Sequence, residues 1–112
     1  SSWPLPRTAS CYELGEFARK RGILLEQPRD GDVFLLYSRD AGRFVHTGFV
    51  VDVMGGPQPG QKTFECITIE GNTNDDGSSN GNNTLIKSRP FDLERGDRFI
   101  RWVDLDHRAQ AA

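Results

Sequence analysis

The sequence predicts an α+β domain, with one helix packed on an antiparallel sheet of about five strands. Three observations lead there. Apolar residues recur every three or four positions over Cys11–Arg21. Beyond Pro28 they fall into segments of strand length. The links between those segments are short and rich in Gly, Pro, Asn and Asp, as hairpin turns are. A chain of 112 residues is enough for one small domain with one core. That single domain is expected to span residues 1–112, with 1–9 an extended lead-in and 104–112 a frayed tail.

The helix has both of its end signals. Thr8 or Ser10 can cap its start, because a hydroxyl accepts a bond from a free backbone N–H. Cys11, Leu14, Phe17, Ala18 and Tyr12 make its inward stripe. Glu13 and Glu16 lie in the early turns, and Arg19, Lys20 and Arg21 in the last, so the charges complement the helix dipole. Gly22 is the expected stop, since it takes a left-handed conformation without cost.

Pro28, Asp30 and Gly31 spell a turn that leads into a strand over Asp32–Tyr37. "SRDAGR" then reads as a hairpin loop, and Phe44–Val53 as a longer strand. Alternation along it sets Val45, Thr47, Phe49, Val51 and Val53 on one side, expected to face the core. Phe44, His46, Gly48, Val50 and Asp52 take the other side. "MGGPQPGQ" reads as a loop, and Lys62–Glu70 as the next strand. Residues 71–83 are so rich in Gly, Asn, Asp and Ser that a loop is expected throughout. "TLIKSR" and "DRFIRWV" read as two further strands, split by a turn at "PFDLERG".

Composition narrows the function. Formal net charge is −2, with 14 basic and 16 acidic residues, which gives no sign of a nucleic-acid partner. No apolar run approaches the roughly 20 residues that span a bilayer, and no signal peptide is visible. A monomer without a cofactor is expected. Two cysteines are too few for a disulfide scaffold. A Cys11–Cys66 bridge is open in principle, but Cys66 reads as a core residue. "NTNDDGSSNGNN" starts like a calcium loop at Asn72, Asn74, Asp76 and Gly77. Its twelfth position is Asn83 rather than Glu, and no helix flanks it, so no metal site is expected.

Four residues carry the chemistry. Cys11 opens a helix, where the positive end of the dipole favours thiolate. His46 lies inside a strand, and Gly48 beside it leaves open space for a substrate. Glu70 and Asn72 end another strand on one side, where either can accept the Nδ1–H of His46 and orient the ring. A nucleophile, a base and an orienting group are what a cysteine hydrolase needs. Taken singly, each has a plainer reading: a small buried thiol, a half-exposed strand histidine, and a polar pair opening a loop. Cys66 lies mid-strand, about 13 Å along the strand from Glu70, a poor place for a nucleophile.

The order of these segments resembles the CHAP family of cysteine, histidine-dependent amidohydrolases and peptidases, within the papain-like NlpC-type superfamily. The match is carried by Cys11 at a helix start, Gly31-Asp32 leading into a strand, His46-Thr47-Gly48-Phe49-Val50, and Glu70-Gly71-Asn72. It extends over roughly residues 8–102. The chain departs from the family after the cysteine, where Tyr12-Glu13-Leu14 follow. The resemblance implies a papain-like fold and hydrolysis of an amide or peptide bond in peptidoglycan, in the peptide stem or the cross-bridge. Cys11 would attack the carbonyl, and His46 would take the proton and return it to the leaving amine. Glu70 or Asn72 would orient His46. The alternatives are a non-catalytic module that binds cell wall or a partner, and a cysteine hydrolase of another amide.

Overall fold

The structure, a computed structural model, describes residues 11–54, 58–73 and 79–102, with the side chains of 71–83 outside that description. The lead-in 1–9, the centre of the calcium-like segment and the tail 104–112 therefore lie outside the described residues.

One helix, α1 (Cys11–Lys20), precedes six strands: β1 (Leu24–Leu25), β2 (Val33–Ser38), β3 (Arg43–Asp52), β4 (Thr63–Thr73), β5 (Ser79–Asp92) and β6 (Arg98–Ile100). They form one sheet in the order β1-β6-β2-β3-β4-β5, and every pairing is antiparallel. This corrects the α+β, papain-like expectation. Among the described residues the molecule is a small β-rich fold, mostly antiparallel sheet with one short helix, because one of its two cores is closed by the sheet rather than by a helix.

Two cores show how. Leu14 and Ala18 of α1 pack with Val33, Leu35 and Ile100 on one face. Phe34, Val50, Cys66, Phe91, Leu93 and Phe99 form the second core on the other face. No helix among the described residues covers this second core. Instead the sheet curls over it: a turn at residues 93–96 brings β5 back toward β6. Phe91 and Phe99 then meet with ring centroids 5.1 Å apart, although their strands stand at distant places in the sheet order. Buried Asp97 ties the curl together by accepting the backbone N–H groups of Tyr37 and Asp92.

The end of α1 follows its local signals. Gly22 is left-handed at φ 65°. The Gly22 N–H bonds the Arg19 carbonyl and the Ile23 N–H bonds the Ala18 carbonyl, the paired closure of a glycine-terminated helix. The helix lies close to β3 because Gly15 has no side chain: a Cβ there would stand 2.2 Å from the Phe44 ring.

Two expectations about the strands are corrected. β4 continues to Thr73 and β5 begins at Ser79, where the two pair, so 71–73 and 79–83 are strand rather than the expected loop. The sides of β3 are also exchanged. Val45, Phe49 and Val51 are exposed, and Val50 is buried. His46 therefore belongs to the side that faces the second core. A register shift opposite Leu36/Tyr37 leaves Val45 as an extra residue, so Phe44 turns to the helix side.

Candidate functional site

His46 enters the site from β3, opposite Leu36 of β2. Its ring packs on Phe34, centroid to centroid 5.8 Å. The space beside Gly48 is not open to substrate as expected. A Cβ at Gly48 would meet the Phe34 ring and the Ile69 carbonyl oxygen, both at 2.7 Å. The glycine makes room for the ring that supports His46.

Glu70 of β4 is 2% exposed. Its Oε1 lies 2.6 Å from His46 Nε2, which corrects the expected contact to Nδ1, and accepts Arg89 Nη2 at 2.5 Å. Its Oε2 accepts Arg89 Nε and Thr68 Oγ1, each at 2.6 Å. Thr68, Glu70 and Arg89 share the side of Cys66, since Arg89 on β5 stands opposite Cys66 on β4. Burial works against the charge on Glu70, but Arg89, Thr68 and His46 outweigh it and hold the carboxyl down at about 2. An ionised carboxylate only accepts, so the hydrogen-bond network assigns the proton to His46 Nε2. In the neutral ring Nδ1 is then the acceptor. The His46 side chain is 32% exposed while that of Glu70 is 1% exposed. The ring thus has its back to a buried charge and one edge toward solvent.

The structure brings His46 and Glu70 together. It does not bring Cys11 to them. Cys11 opens α1, whose buried side chains lie against Val33 and Leu35. His46 lies against Phe34, and successive residues of β2 point to opposite faces. The sheet therefore stands between the helix and the histidine. Burial pushes the Cys11 thiol up, against the pull of a backbone hydrogen bond, so the expected activation at the helix start is outweighed. Cys66 is fully buried, and its thiol is pushed up to about 12 by burial and by Asp30 and Asp52. Both cysteines are free. The Asn72 side chain lies outside the described residues.

Arg89 and Thr68 escaped the sequence reading. One signal was available for both: a glutamate in a strand row otherwise filled by Phe64, Cys66 and Thr68 needs a hydroxyl and a cation near it if that row is buried. Among the described residues, no group of His, Cys, Asp and Glu could hold a metal ion, and no helix is long and apolar enough to cross a membrane. Two clefts, of about 290 and 370 Å³, share Asp92 and Arg95 in their walls and do not include His46 or Glu70. Compared with protein-family models, curated proteins and solved structures, the chain matches none.

Proposed function

We propose that this domain is a hydrolase of an amide or peptide bond in peptidoglycan, with His46 as general base and Glu70 as the group that orients it. The observation that carries the reading is the 2.6 Å contact between His46 Nε2 and the buried, ionised Glu70. It holds one ring nitrogen of a partly exposed imidazole and leaves Nδ1 as the other, the arrangement a positioned base needs. The likeness of His46-Thr47-Gly48 and Glu70-Gly71-Asn72 to the CHAP pattern supplies the substrate class.

In this reading a water at Nδ1 attacks the carbonyl. His46 takes the proton and returns it to the departing amine, while Glu70 holds the Nε2–H and offsets the charge on the ring. The thiols do not enter: Cys11 lies across the sheet, and Cys66 is buried and un-ionised. The separation of Cys11 from His46 equally favours a second reading, a module that binds peptidoglycan or a partner without cleaving it. Mass spectrometry of defined muropeptides incubated with the protein and with Cys11→Ala separates the two. New amine and carboxyl ends in both samples support the hydrolase. Retention of intact muropeptides on the immobilised protein, with no cleavage, supports the binding module.

A further inference from the structure

We infer that Arg89 is a positioning residue for His46: its two-pronged hold on Glu70 keeps the carboxylate a bare acceptor facing Nε2, and so dictates which ring nitrogen carries the hydrogen. The inference rests on the reading of His46 as a base and deepens it. Glu70 has four donors on its two oxygens, and Arg89 supplies two of them, one to each oxygen. A guanidinium gripping both oxygens fixes the carboxylate plane as no single bond does. The Arg89 guanidinium also lies 5.8 Å from the centre of the Phe34 ring, the ring on which His46 packs. One side chain thus holds the carboxylate and rests on the aromatic support of the histidine.

The consequence follows from burial. Glu70 is charged in a place that disfavours charge, and Arg89 is the strongest of the groups that offset this. Without Arg89 the carboxylate loses its strongest partner and its proton affinity rises; a carboxyl that takes up a proton can donate. Its hydroxyl would then donate to Nε2. The ring hydrogen would move to Nδ1, and Nδ1 would lose the lone pair that base chemistry requires. The charged groups on the described strands that face the histidine are Glu70 on β4 and, through it, Arg89 on β5.

The test is the tautomer of His46, read by long-range ¹⁵N–¹H correlation spectra of the folded protein. The chain has two histidines, so His46→Gln assigns the signals. The wild-type protein is expected to show the Nε2–H form when the ring is neutral. Arg89→Gln should show a mixture or the Nδ1–H form, and Arg89→Lys, which keeps the charge but loses the fork, should fall between Arg89→Gln and the wild type. If Arg89→Gln does not fold, Arg89→Lys decides by the ¹³C carboxyl titration of Glu70, whose midpoint should rise when the fork is lost. A wild-type tautomer in folded Arg89→Gln, or an unmoved Glu70 titration in Arg89→Lys, would overturn the inference. On muropeptides, Arg89→Gln should lower kcat about tenfold or more with KM little changed. The spectra need no turnover, so a wild-type protein that cleaves nothing counts against the hydrolase reading and leaves the Arg89 assignment to the tautomer.

Discussion

Glu70 Oε1 accepts from two side chains at once, His46 Nε2 at 2.6 Å and Arg89 Nη2 at 2.5 Å. The three residues come from β3, β4 and β5, so the pairing of neighbouring strands builds the cluster. A buried carboxylate shared between a fixed cation and a half-exposed imidazole is stable only while all three remain.

Glu70→Gln tests the carboxylate. It keeps the shape but leaves Arg89 facing a neutral amide. Breaking a buried pair this way costs roughly 3–5 kcal/mol, less here because Arg89 retains 20% side-chain exposure. Urea denaturation should show a lower midpoint. Hydrolysis should fall by about 10- to 1,000-fold, a loss of roughly 1.4–4 kcal/mol of transition-state stabilisation.

Acid should expose the same interaction. The folded Glu70 carboxyl titrates at about 2, below its ordinary value of 4.5. Its contribution is fully present above about pH 4.5 and is lost as pH falls toward 2, on the order of 3 kcal/mol in all. Urea midpoints measured at steps between pH 5 and 2 should fall steeply for the wild-type protein and less so for Glu70→Gln.

Alkali should act through Cys66. Its folded thiol titrates near 12, above the ordinary 9.0. The stability is present below pH 9 and is lost as pH rises from 9 toward 12, because the unfolded chain ionises first. Cys66→Ala should flatten that alkaline loss in thermal melts, at a cavity cost of about 1 kcal/mol or more at neutral pH.

Gly48→Ala should disturb the site through packing. The added methyl meets Phe34 and the Ile69 carbonyl, an overpacking cost of about 1–3 kcal/mol. Because Phe34 supports the imidazole, the His46 ring resonances should shift as well. A Gly48→Ala protein with wild-type stability and unmoved His46 signals would show that the ring has room to spare.

What was legible in the sequence was local, or one strand pairing away. Gly22 ends α1 as its conformational freedom requires. Glu70, alongside Asn72, is legible as a candidate partner of His46 because the alternation along β4 sets it at the strand end on one side. The buried side of β3 was not legible. Val45, Phe49 and Val51 on one side are as apolar as Phe44 and Val50 on the other, so a period of two does not say which faces the core. Nor was the place of Cys11. A helix start describes the thiol's own turn, whereas the sheet face that receives the helix depends on how the strands curl. Arg89 lies 19 positions beyond Glu70, and only the β4–β5 register joins them.

Whether His46 is the base is decided by the rate at which purified muropeptides are cleaved by the wild-type protein, His46→Ala and Cys11→Ala, followed side by side by mass spectrometry. Cleavage should fall at least about 100-fold in His46→Ala and persist in Cys11→Ala. Cleavage that survives His46→Ala, or that vanishes in a folded Cys11→Ala, would contradict the account.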